Sequence, residues 1–257
     1  MDIGVCTNPQ SLTAPVPGLD YIEGTVGDLL CPREDESVFA KRLEAVQAAP
    51  VRPAAANCFL PGDLKTTGPD VDPAAVDAYV AIALRRAKRM GIEIIVFGSG
   101  GSRRVPDGFD PARAADQLVE HMKRWGPMAA EADVTITLEP LHSAECNIVT
   151  SVDEGAALVR RADHPNVRLL IDTYHMAKED DPADAIRRAG ELIAHAHCAE
   201  KDGRGPLGTV GEDQRGYFRA LKDVGYSGRV SIEAGWKDLG AQLPAAVAEL
   251  RRQIDTA

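Results

Sequence analysis

The sequence predicts an α/β protein, a closed (β/α)8 TIM barrel that occupies residues 1–257 as a single domain. Three observations carry that expectation. The chain is 257 residues long, the usual size of such a barrel and enough to bury one large core. Short apolar runs rich in β-branched residues recur along its whole length at intervals of about one βα unit. Between most of them lie longer segments bounded by helix caps, and alternating strand and helix signals imply parallel strands joined by crossover helices.

The runs fall at residues 3–6, 21–26, 54–59, 92–97, 134–138, 167–171, 192–197 and 230–232. Each is short and bounded by polar, Gly or Pro positions, the pattern of a parallel strand buried on both faces. The first connection is poorly marked as a helix, because residues 8–18 carry three prolines and a glycine. After the third run, Asp72-Pro73 pairs an N-cap with proline at the first helical position. Val76, Val80 and Leu84 then repeat at helical spacing, and Gly91 closes the segment. Asp110-Pro111 and Asp181-Pro182 repeat the start signal, and Ser151 to Glu154 has the form of a capping box. Gly126-Pro127 predicts a kink or break in the helix before the fifth run.

Composition narrows the partners. The formal net charge of −10 argues against nucleic acid, whose phosphates call for excess Lys and Arg. No stretch is long and apolar enough for a membrane span. The opening MDIGVC has no basic segment ahead of an apolar run, so no signal peptide is expected. The five cysteines, Cys6, Cys31, Cys58, Cys146 and Cys198, are odd in number and scattered, which suits reduced thiols in a cytoplasmic protein.

The strand ends carry the chemistry. In a barrel of this kind catalytic side chains sit where strands finish and βα loops begin. The fifth to eighth runs finish at Glu139, Asp172, His197 and Glu233. Singly, a strand-end acid often only caps the next helix or pairs with an arginine. Together, on consecutive strands, the four would converge at the barrel mouth. Three carboxylates so close would repel one another unless a cation neutralised them. Carboxylates with one imidazole suit one divalent ion of the Mn2+, Co2+ or Mg2+ type better than a thiolate-loving one.

With these residues in view, the sequence resembles the sugar phosphate isomerase/epimerase family of xylose isomerase-like TIM barrels, ketose 3-epimerases included. The resemblance is carried by IVFGSGGSRRVPDGF (95–109), LEPLHSAE (138–145), IDTYHM (171–176), HAHCAEKDGR (195–204) and SIEAGW (231–236). It implies that Glu139, Asp172, His197 and Glu233 bind a metal, Mn2+ first, and that Glu139 and Glu233 are also the acid/base pair. It further implies that Glu145 and His175 bind the substrate, a sugar or sugar derivative. Where the 3-epimerases place a substrate-binding arginine this chain has Gly203, with Arg204 one position later. The paired Arg103-Arg104 has no counterpart there.

Other residues admit two readings. His195 and His197 are two apart in a strand and point the same way, so His195 is expected beneath His197 as a supporting or core histidine. Gly98-Ser99-Gly100-Gly101 with Arg103 and Arg104 reads either as a cradle for a phosphate or carboxylate or as a tight turn with solvated arginines. Residues 59–72 make a long loop that suits a lid over the mouth or a homo-oligomer contact. Trp236 would stack on a sugar or pack in the core.

The resulting expectation is an isomerase or epimerase of carbohydrate metabolism that moves a proton beside a carbonyl through an enediolate. Return of the proton to the opposite face gives a 3-epimerase; return to the neighbouring carbon gives an aldose–ketose isomerase. The alternative is a lyase or dehydratase on a keto-sugar or cyclitol. An abasic-site endonuclease would need more metal-binding histidines than the six present and a basic face. A non-catalytic sugar-binding module would be expected to lack one of the acid/base pair, yet both are present.

Overall fold

The computed structural model describes all of residues 1–257. Eight parallel strands close into a barrel in chain order. They are β1 (Asp2–Cys6), β2 (Tyr21–Thr25), β3 (Pro53–Asn57), β4 (Ile94–Phe97), β5 (Thr135–Leu138), β6 (Val167–Asp172), β7 (Ile193–Cys198) and β8 (Arg229–Ile232). Every strand lies within two residues of an apolar run identified in the sequence. Helices α1 (Val26–Leu30) and α2 (Glu36–Gln47) follow β2, α3 (Pro73–Met90) follows β3, and α4 (Gly100–Arg103) with α5 (Pro111–Glu131) follows β4. The ring continues with α6 (Val152–Ala162), α7 (Thr173–Lys178), α8 (Ala183–Ala189), α9 (Arg215–Asp223) and α10 (Leu239–Thr256). The weakly marked first connection holds only a 3-10 turn, Pro9–Ser11, capped by Asn8. No helix is long and apolar enough to cross a membrane, and all five cysteines are free.

Side-chain alternation divides the barrel into two compartments. Outward-facing Ile3, Val5, Ile22, Ile95, Phe97, Ile136, Leu138, Leu169, Ile171, Val230 and Ile232 join the main core beneath the helices. The inward set is smaller, and only part of it is apolar: Tyr21, Ala55, Ile94, Val96 and Leu170 form a separate cluster. A barrel interior is normally filled by branched apolar layers. Here Glu23, Thr137, His195 and Ser231 are also fully buried inside the strands. Gly4 makes room for this filling, since a Cβ there would sit 2.3 Å from the Tyr21 ring.

Three local expectations need correction. Helix α5 runs unbroken through Pro127. Its buried face, including Leu118, Met122, Trp125 and Ala129, holds the helix against the barrel despite the backbone bond the proline removes. Gly126 serves close packing instead, because a Cβ there would meet the His164 ring at 2.4 Å. Asp181 does not cap α8, whose N-cap is Pro182; its carboxylate accepts from the Val152 N–H at the start of α6. The capping box is half formed. Ser151 accepts from Glu154 N–H, while the Glu154 carboxylate turns back to the N–H groups of Val149 and Thr150.

Candidate active site

The inward parity of β5 to β8 brings the strand-end residues together. Ligand atoms of Glu139, Asp172, His197 and Glu233 all lie within 4.8 Å of one another. His197 Nδ1 sits 3.4 Å from both Glu139 Oε1 and Glu233 Oε2. Asp172 divides its carboxylate: Oδ1 accepts from the Tyr174 N–H and so caps α7, which leaves Oδ2 for the centre. Glu139 Oε1, Asp172 Oδ2 and His197 Nδ1 are buried with no hydrogen-bond partner. Orphaned buried polar atoms are rare and costly, and three converging on one point is the arrangement of a cation site.

Electrostatics agree. Burial, with the charges of Glu233 and Glu139 beside it, pushes Asp172 up to about 7. Burial and Glu233 also raise Glu139. At Glu233 burial acts the same way, but His197 and Arg204 outweigh it and hold the carboxyl below its ordinary value. The three acids therefore do not all ionise on their own near neutral pH, whereas a divalent ion would hold all three as carboxylates.

A cavity of about 280 Å³ opens above the quartet, at the small end for ligand sites. Its walls include Asn57, Cys58, Leu60, Leu141, Glu145, His175, Arg204 and the 98–101 loop. His175 Nε2 lies 3.5 Å from Asp172 Oδ2. Its Nδ1 accepts from the His142 N–H at 3.1 Å, so Nε2 carries the proton and points to the centre. Burial and nearby Arg204 and His142 depress this imidazole to about 2, making it a neutral donor.

Arg204 resolves the one-residue departure seen in the sequence. Gly203 and Arg204 are consecutive residues in the left-handed region, at φ 71° and 49°, and that turn swings the arginine back over the mouth. Its Nη2 donates to Glu233 Oε2 at 2.6 Å and its Nη1 to Glu145 Oε1 at 3.1 Å. Its guanidinium lies 4.6 Å from the Tyr174 ring.

The arginine pair of the fourth loop is not part of this cavity. Arg103 is fully buried, donates to the carbonyl oxygens of Phe97 and Glu139, and so braces the ends of β4 and β5 from behind. Arg104 donates to the Glu145 carbonyl. The glycines here serve close approach: a Cβ on Gly98 would lie 2.2 Å from Glu139 Oε2. If Glu139 binds a metal, Gly98→Ala should displace its carboxylate and weaken Mn2+ binding about tenfold or more, with little change in the metal-free melting temperature; unchanged Mn2+ affinity by calorimetry would remove Gly98 from the site.

Loop 59–72 is fastened rather than free. Thr66 and Thr67 donate to carbonyls of residues 102 and 103, and Gly68 exchanges two hydrogen bonds with Gln117. Only Leu60 from this loop lines the cavity. Trp236 is half-buried against the core and outside the cavity wall. Sequence reasoning overlooked Asn57, His142 and above all Glu23, which lies inside the barrel within hydrogen-bonding distance of His195 and His197. The available signal was an acid in the middle of an apolar run.

Residues 18–255 match a family model described as xylose isomerase-like TIM barrel. A D-psicose 3-epimerase of Ruminiclostridium cellulolyticum is 29% identical over 184 residues, 66% of this chain and 59% of the relative. An L-ribulose 3-epimerase of Methylomonas sp. is 35% identical over 117 residues, 45% of this chain and 41% of the relative. The matched stretches thus span about half the length of these relatives. A crystal structure of a D-psicose 3-epimerase in the presence of D-fructose superposes with a TM-score of 0.80 at 20% identity, covering 100% of this chain and 98% of the other, which shows a shared fold.

Proposed function

We infer the reaction from one premise: this chain belongs to the xylose isomerase-like TIM barrel family, whose model matches residues 18–255. Within it we propose a divalent-metal-dependent ketose 3-epimerase acting on a free sugar, with residues 1–257 forming one barrel domain in the cytoplasm. The observation that carries the proposal is the quartet itself, three of whose inward-facing atoms have no partner in the protein.

Glu139, Asp172, His197 and Glu233 would hold the ion, Mn2+ by preference. When bound, it would polarise the substrate carbonyl and stabilise the charge of the enediolate. Glu139 and Glu233 come from strands three places apart around the barrel, so they address the sugar from different sides. One removes the proton beside the carbonyl; the other returns a proton to the opposite face of the same carbon, inverting it. Burial and neighbouring charge displace Glu139 and Glu233 in opposite directions, so the two are unequal partners for proton transfer. Glu145, Arg204 and the Nε2–H of His175 are placed to hold the hydroxyl groups. Arg104 and Arg103 are spent on backbone carbonyls, so an unphosphorylated sugar fits better than a sugar phosphate.

The test is incubation with Mn2+ and a panel of free ketoses, D-psicose and L-ribulose among them, and their phosphates in D2O. Deuterium should enter at C3 of a free ketose as the epimer appears. Exchange at C1 with aldose formation would make the chain an isomerase, an unsaturated product would make it a lyase, and no exchange with any sugar would overturn the proposal.

A further inference from the structure

We propose that Glu23 is the positioning residue of the metal centre: from β2 it fixes the His197 ring so that Nδ1, and no other ring atom, faces Glu139, Asp172 and Glu233. The inference rests on the metal reading of that quartet.

Glu23 is fully buried. Its Oε1 accepts from His197 Nε2 at 2.8 Å, and its Oε2 accepts from His195 Nε2 at 2.7 Å and from Ser231 Oγ at 2.6 Å. The Tyr21 hydroxyl pairs in turn with Ser231 Oγ at 2.7 Å. An ionised carboxylate only accepts, so both imidazoles present Nε2–H to it. A neutral His197 then has its lone pair on Nδ1, the atom without a protein partner that lies 3.4 Å from Glu139 and Glu233. With the other tautomer, the Nε2 lone pair would face the Glu23 carboxylate and an N–H would point at the ion. Glu23 therefore selects the tautomer that can ligate, and its charge makes the ring a better donor to a cation.

The surroundings argue against a merely stabilising role. Burying a carboxylate is expensive even when hydrogen-bonded, and apolar replacements of buried polar networks are often neutral or stabilising. This part of the interior could have been filled with branched apolar side chains, as the other part is by Ile94, Val96 and Leu170. His195, the second donor, holds the free end of the carboxylate and has an unpartnered Nδ1 inside the barrel, consistent with support and not ligation.

The experiment measures Mn2+ affinity by calorimetry in the wild type and Glu23→Gln, alongside metal-free melting temperatures. Glutamine keeps the shape but removes the charge and leaves one acceptor oxygen for two imidazole N–H groups, so His197 either loses its acceptor or keeps a weaker, uncharged one. Mn2+ binding should weaken about 10–100-fold, beyond any change that follows from the metal-free melting temperature. Equal affinity in a folded Glu23→Gln overturns the proposal while leaving the quartet standing; a wild type that binds no Mn2+ overturns both. Should the variant fail to fold, long-range ¹H–¹⁵N spectra of the wild type with Mg2+ decide the matter. His197 should show a protonated Nε2 and an unprotonated Nδ1, and the reverse assignment would overturn the proposal.

Discussion

Glu233→Gln is expected to suppress solvent-deuterium exchange at the reacting carbon by about 10²–10⁴-fold, the usual contribution of a general acid–base group, even with Mn2+ in excess. The substitution removes a proton acceptor and weakens a metal ligand together, so added metal alone should not restore exchange. It also removes the negative charge from the oxygen to which Arg204 donates at 2.6 Å, loosening the contact that swings the arginine over the mouth. Glu145→Gln provides the contrast. Glu145 is half-exposed at the rim and bonded to Arg204, so its loss should raise KM while exchange stays measurable. Near-normal exchange in Glu233→Gln with metal bound would contradict the two-base scheme and make His175 the next group to test.

The second large effect is on stability. A ligand that binds only the native state stabilises it by about 2.7 kcal/mol at a hundred times its Kd. For a chain of this size that corresponds to roughly 5–10 °C in melting temperature, and chelation should remove it together with all activity. Glu139→Gln and Asp172→Asn should each lose most of the Mn2+-dependent rise. Their metal-free forms should melt no lower than the wild type, because neutralising one of three crowded acids relieves the repulsion that pushes Asp172 up to about 7. A Mn2+-dependent rise that persists unchanged in both variants would contradict the quartet.

These sites were legible in the sequence to different depths for physical reasons. The convergence of the quartet is readable because β5 to β8 each end at an acid or a histidine that closes an apolar run, and a parallel barrel sends consecutive strand ends to one mouth. Glu23 is not, because its significance lies in a contact with His195 and His197, more than 170 positions away, that only barrel closure creates. The sequence leaves Arg103 open between an anion cradle and a tight turn with solvated arginines. A glycine run followed by two arginines looks like an anion cradle, and nothing local reveals that the first guanidinium turns inward to the carbonyls of Phe97 and Glu139. Arg204 shows a third case: linear spacing put Gly203 in the arginine's place, and two left-handed residues restored the reach. The same Asp-Pro signal caps a helix at Asp72 and Asp110 but not at Asp181, whose carboxylate is taken by the start of α6.

The proposed chemistry stands on one divalent ion held by Glu139, Asp172, His197 and Glu233. The measurement that tests it most directly is an anomalous difference map from Mn2+-soaked crystals recorded near the manganese absorption edge. A single strong peak is expected, bonded to carboxylate oxygens of the three acids and to Nδ1 of His197. A strongest peak at His142, Glu145 and His175, the neighbouring group whose ligand atoms also converge, or no ordered peak at saturating Mn2+, would contradict it.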